Sequence, residues 1–371
     1  VIDETEVLMM TMIDILKEVG RGKRGARDLN YSEALAAAES IIDGTATPAQ
    51  IGAFFVAERM KMESAEELEA FVHVLRERTY RSSAHAGLDC AGPYDGRKSS
   101  FYATFPTAFL LAAAGVPVTL HGMASLPPKW GVTLMDLLRQ KGIDSASVLP
   151  DHALMAAKQS GVLLVDAEQW CPPLQALRPL REELGMRTIL NTAEKLLDYS
   201  HADYIVYGVF HSTVFDRMGQ LMETLKYRKA LIVQGTEGSE DLFIHRPTRV
   251  HLIQDGESHM HMIDPETFGL EATPPDKDWT AAEQLKTAEE VLQGQAHIAF
   301  TNQVLLNAAV RLHLCGSADS IEEGIYTCKS LLERGAAWNR YECWHQALRA
   351  SASSSSSSGS SQSPGSIPSA R

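Results

Sequence analysis

Apolar residues recur at helical spacing through the first eighty positions and gather into short strand-like runs after that. Val7, Met10, Ile13 and Leu16 share one face of a 3.6-residue period, which predicts an N-terminal helix. Thr47-Pro48-Ala49-Gln50 predicts a helix start, with a Thr cap, Pro at the first helical position and Gln completing a capping box. Ile51, Phe54 and Phe55 supply that helix's apolar stripe. Ser64-Ala65-Glu66-Glu67 repeats the box ahead of Leu68, Phe71, Val72 and Leu75. Residues 1–80 therefore read as a small all-helical N-terminal domain.

From about residue 86 to 348 the pattern alternates. Candidate strands are 116–120, 161–165, 204–207 and 231–233; helices such as 133–141, 213–226 and 298–311 fall between or after them. Phe105 through Ala114 is too short to span a bilayer and reads as a buried helix. The fold class is α/β, a mainly parallel sheet covered by helices, with ligands expected at the strands' carboxyl ends. Residues 349–371 are serine-rich and too poor in apolar side chains to fold, so they are expected to be a disordered tail.

The chain has 371 residues, 44% of them hydrophobic, enough for one large core or two unequal ones. No membrane span is recognisable. The formal charge of −13 argues against a surface built throughout for phosphate backbones, though not against a local basic patch. Cys90, Cys171, Cys315, Cys328 and Cys343 are widely spaced and form no CxxC pair, which fits reduced thiols in a cytosol-like compartment. A cytoplasmic location is the expectation. The start at Val1 rather than Met leaves room for a removed upstream segment, and so for a plastid or another organelle.

The densest chemistry follows the apolar run Ala230-Leu231-Ile232-Val233. Gln234 to Leu242 sets glycines and then carboxylates at the carboxyl edge of a predicted buried strand. Glu240 and Asp241 offer oxygen ligands of the kind that hold Mg²⁺ together with substrate phosphates and water; the other reading is an acidic surface turn. His259 and His261 alternate on one strand face but lack a third metal ligand, so a solvated face is the better reading. Arg21, Lys23, Arg24 and Arg27 crowd the glycine-rich link Gly20–Arg27. Glycines let a backbone approach an anion and arginines fork onto phosphate oxygens, so the link reads either as a nucleic-acid contact or as a basic turn paired with nearby acids.

Taken together, the chain resembles the anthranilate phosphoribosyltransferase family, which shares its fold with pyrimidine nucleoside phosphorylases. The landmarks run in order from about residue 10 to 340. They are Asp43-Gly44, Gln50 to Phe54, Arg59-Met60-Lys61, Leu120-His121-Gly122, Leu180 to Asn191, Gly208 to His211, Gly235 to Asp241, Asp264 to Leu270 and Asn307-Ala308-Ala309. The resemblance implies Mg²⁺-assisted pentosyl transfer from phosphoribosyl diphosphate (PRPP) in a cleft between the two domains. It also implies a homodimer made through the helical domain, which part of 175–200 rejoins. Asp95, Gly96, Thr104, His121, Gly122 and Lys129 fall on substrate-binding positions, Arg181 on the arginine near the acceptor carboxylate, and Glu240 and Asp241 on the magnesium pair.

The loops also depart from that family. Asp89 to Gly96 matches its glycine-rich phosphate loop, yet Pro93 has no N–H to donate and Tyr94 fills space that a glycine would leave. Phe101 and Ala103 stand where the family gives Asn and Ser, Met123-Ala124 where it gives Asn-Arg, and Leu120 replaces a lysine. A degraded PRPP loop and an acceptor other than anthranilate are the expectation. The basic link, the stretch 93–98 and Trp170 to Leu174 resemble a divergent branch with nucleic-acid-binding members. The alternative function is thus a catalytically inactive homodimer that binds single-stranded nucleic acid without sequence preference.

Overall fold

A computed structural model describes residues 10–22 and 24–357. Four helices open the chain: α1 (Met12–Val19), α2 (Tyr31–Ile42), α3 (Pro48–Lys61) and α4 (Ala65–Glu77). Both expected capping boxes form, at Thr47 and Ser64, and Asn30 with Glu33 adds another at the start of α2. Ile51, Phe54, Phe55, Leu68, Phe71, Val72 and Leu75 are buried. The inward face of α1 differs from the expected one. Met12, Ile15 and Val19 point to the core, whereas Ile13 is 58% exposed. Thr11 caps this helix, so its register against α3 starts at Met12; Val7, where the expected stripe began, lies outside the described residues.

The larger layer is a seven-stranded sheet of order β3-β2-β1-β4-β5-β6-β7. Its strands are β1 (Leu88–Ala91), β2 (Val118–Gly122), β3 (Val162–Asp166), β4 (Tyr204–Gly208), β5 (Lys229–Val233), β6 (Thr248–Gln254) and β7 (Glu257–Ile263). Every pair from β3 across to β5 is parallel; β6 and β7 are antiparallel additions. The expected strands all form, within two residues of their predicted limits. β1 escaped the pattern because Asp89, fully buried, interrupts its apolar run. The β6–β7 hairpin turns on Asp255-Gly256, both at positive φ, as a two-residue hairpin turn requires.

Helices cover the sheet, and the one at Thr104–Ala113 is buried along its length, as its composition predicts. Helix Pro172–Leu184 packs back on α3 and helix Leu190–Ala193 on α4, closing the helical layer over the sheet. The last described helix, Ala336–Ser357, carries on through residues 349–357, which the serine content assigned to the disordered tail. Once Tyr341, Trp344 and Leu348 are packed, adding helical turns is cheap, because nucleation has already occurred. Residues 358–371 lie outside the described residues. No helix among the described residues is long and apolar enough to cross a membrane.

β1 has β2 on one side and β4 on the other, so the chain reverses its winding direction between β1 and β4. Loops leaving the carboxyl ends of two such strands part in opposite directions and open a crevice. That crevice faces α3.

Candidate active site between the two domains

The crevice is a cleft of about 440 Å³. The loop after β1 gives it Pro93, Tyr94 and Asp95; the end of β4 gives Gly208 to His211; the turn after β5 gives Glu237 and Gly238. Arg59, Met62 and Glu63 close it from α3 and the residues just after it. Its charged lining is Arg59, Arg187 and Arg217 against Glu63, Asp95 and Glu237, with the Lys195 amine adding a positive charge where protonated, on a chain of net −13. Sequence reasoning did not single out these four basic residues as site residues. Arg59 and Arg187 lie inside family landmarks, but nothing local marks Lys195 or Arg217.

Beneath the cleft sits a buried charge quartet. Asp241 Oδ2 accepts from Arg97 Nη1 at 2.5 Å, and from the backbone amide of Thr104 at 3.1 Å. Its Oδ1 accepts from Thr104 Oγ1 at 2.6 Å and from Arg311 Nη2 at 3.2 Å. Arg97 Nη2 also lies 3.6 Å from Glu240 Oε2, and Arg311 Nη2 donates to the Glu240 carbonyl at 3.1 Å. All four charged residues are about 1% exposed. Burial raises the Asp241 carboxyl, but Arg97 first and Arg311 next pull it below its ordinary value.

Arginines balance the acidic pair in this arrangement. The two arginines and two carboxylates sum to zero, and Asp241 has its lone-pair directions taken. A divalent cation would put two uncompensated positive charges where no water reaches. The Glu240 carboxylate is also hemmed in: a Cβ on Gly92 would lie 2.4 Å from its Oε2. Among the described residues no three His, Cys, Asp or Glu side chains cluster as a metal site, His259 and His261 included. In this structure the Asp241 carboxylate is met by Arg97 and Arg311, both distant in sequence, while Glu240 Oε2 has no hydrogen-bond partner.

Several other expected contacts are internal as well. His121 is buried, with Nδ1 2.6 Å from the Tyr94 hydroxyl and Nε2 2.8 Å from Asp89 Oδ1. Gly122 is buried within β2. Arg181 is buried, with Nη1 paired to Glu194 at 2.6 Å and Nη2 without a hydrogen-bond partner. The Gly96 amide donates to the Pro93 carbonyl, and the glycine permits close backbone contact with Gly131. Thr104 serves Asp241. Lys129 pairs with Asp95 at 3.0 Å and donates to the Glu237 carbonyl at 3.1 Å. Asp95 alone of the expected substrate set lines the cleft, and Arg187 holds its other oxygen at 2.7 Å.

The loop that follows is filled by the chain itself. Glu237, held at φ 57°, accepts from the amides of Lys98 and Ser99 and from Ser100 Oγ. Burial opposes its charge, yet these donors keep its carboxyl below the ordinary value. In the basic link, Arg21 pairs with Glu18, and Arg27 with Glu18 and Glu33, as the basic-turn reading has it. Arg24 is exposed, and Lys23 lies outside the described residues.

The helical bundle domain of the glycosyl transferase family matches residues 13–79, and that family's α/β domain matches residues 95–338. The chain belongs to this family, the one that holds the anthranilate phosphoribosyltransferases. The Thermomicrobium roseum anthranilate phosphoribosyltransferase is 30% identical over 85% of this chain and 91% of its own length. The crystal structure of the enzyme from Thermus thermophilus is 26% identical, with a TM-score of 0.77 over 91% of this chain and 99% of that one. The Saccharomyces cerevisiae enzyme in complex with PRPP and Mg shares the fold at 18% identity, with a TM-score of 0.76 over 92% of this chain and 99% of that one.

Asp241→Asn gives the quartet a direct check. Breaking a buried pair leaves two guanidinium groups short of charge, so urea denaturation should report a loss of about 3–5 kcal/mol. A metal-ligand aspartate in an empty site would instead cost little or even stabilise, because its removal relieves repulsion from Glu240.

Proposed function

We propose that the interdomain cleft binds a phosphate-bearing ribose ligand of the phosphoribosyl diphosphate class, and that the chain's own arginines, rather than magnesium, meet its charge. The neutral quartet of Arg97, Arg311, Glu240 and Asp241 is the observation that carries this reading. Glu237 supports it, since its carboxylate occupies backbone amides of the kind that elsewhere cradle diphosphates. A ligand therefore enters beside the filled loop, against Arg59, Arg187, Lys195 and Arg217. Transfer to anthranilate is not the reading, with Arg181 committed to Glu194.

Titration calorimetry with PRPP tests this. Binding should be weaker than for an intact donor loop, indifferent to Mg²⁺, and reduced at least about tenfold by Arg187→Ala, the scale of one charge-assisted contact. Tight binding that needs Mg²⁺ and vanishes in the Glu240→Ala, Asp241→Ala double variant would overturn it.

Single-stranded nucleic acid is a second reading, favoured by one feature. Phe210 is 53% exposed beside a groove that holds Arg246 and Arg249, a stacking face flanked by cations. With Arg21 and Arg27 already paired to acids, the basic link would add little. A short oligonucleotide in the same calorimeter decides it: at low salt Phe210→Ala should weaken binding by roughly 1–3 kcal/mol, and no heat from the wild-type chain would remove this reading.

A homodimer through the helical layer is supported by Ile13, Val56 and Met60, exposed apolar residues of the packed pair α1 and α3. Sedimentation equilibrium should find a dimer that Met60→Lys splits; a monomer at micromolar concentration would end the claim.

A further inference from the structure

Lys195 stands on the short turn Glu194–Leu196, at the floor of the cleft where β4 ends. It is 6% exposed. Its Nζ donates to the Gly208 carbonyl at 2.8 Å and lies 3.7 Å from the centroid of the Tyr207 ring. No ion pair reaches it among the described residues: Glu240, Asp95 and Glu194 act on it from farther off, and Arg187 opposes them. Burial dominates and lowers its amine to about 7. Near neutral pH, much of this amine is therefore unprotonated, aimed by one carbonyl and facing a cavity of ligand size.

We propose that Lys195 forms an imine with a phosphorylated aldehyde, such as an open-chain sugar phosphate, whose phosphate is held by Arg187 and Arg217. This rests on the phosphate-binding reading of the cleft. The Nζ lone pair adds to the carbonyl carbon, the carbonyl oxygen takes a proton, and the carbinolamine loses water to leave a protonated imine. No oxidant or reductant takes part. The Tyr207 ring face favours the resulting cation, as an aromatic face favours an ammonium.

Pyridoxal 5′-phosphate is the probe, trapped with borohydride and located by peptide mass mapping. Lys195 should be labelled ahead of the exposed Lys17 and Lys286, with a rate that rises with pH through about 7. Lys195→Arg should lose the adduct while keeping its circular dichroism spectrum. Pyridoxal without the phosphate should label Lys195 about tenfold more slowly, and Arg187→Ala should erase that difference. Equal labelling by both aldehydes would overturn the phosphate-held part of the proposal and, with it, the cleft reading, while the imine stands. Labelling confined to surface lysines, in a protein whose PRPP binding persists in the calorimeter, would overturn the imine and spare the cleft reading.

Discussion

The buried carboxylate of Asp241 is the point from which the site's architecture hangs. It draws together segments far apart in the chain: Arg97 on the loop after β1, Thr104 at the start of the following helix, and Arg311 on the helix Ile298–Leu314. Both arginines are buried and depend on that carboxylate for their charge balance. Removing one member of such a set leaves the others in a low-dielectric interior without compensation, which costs more than the set contributes while whole. The constraint fixes the turn after β5 against the loop after β1, and so fixes two walls of the cleft.

The same constraint shapes the space around the family scaffold's crevice. Parallel strands, a switch in winding direction between β1 and β4, and a helical layer opposite them make a ligand crevice whatever side chains line it. In this chain the space next to that crevice is taken by Tyr94, by the Glu237 carboxylate on the amides of Lys98 and Ser99, and by Arg97 on the acidic pair. Arg59, Arg187 and Arg217 face the cleft, with the Lys195 amine beside them.

Local chemistry was legible in the sequence; long-range pairing was not. The boxes at Thr47 and Ser64 announce helices because a cap is satisfied within four residues. The apolar runs at β2 to β5 announce buried parallel strands for the same local reason. β1 was lost because Asp89 looks like a surface residue until His121 is seen beside it, and the face of α1 shifted once Thr11 set its start. The candidate site fared worse. The partners of Asp241 lie 144 and 70 positions away, at Arg97 and Arg311, and no local pattern announces them. Arg181 beside Glu194 and His121 beside Asp89 are likewise buried contacts between distant segments, which no local pattern announces.

The most direct test is whether the protein senses a divalent cation. Thermal unfolding of the wild-type chain followed across a magnesium series, with manganese as a second ion, should show no saturable stabilisation. Arg97→Leu, which strips one positive charge from the acidic pair, should acquire it. A wild-type melting temperature that climbs and saturates with magnesium, and ceases to do so in the Glu240→Ala, Asp241→Ala double variant, would contradict the account.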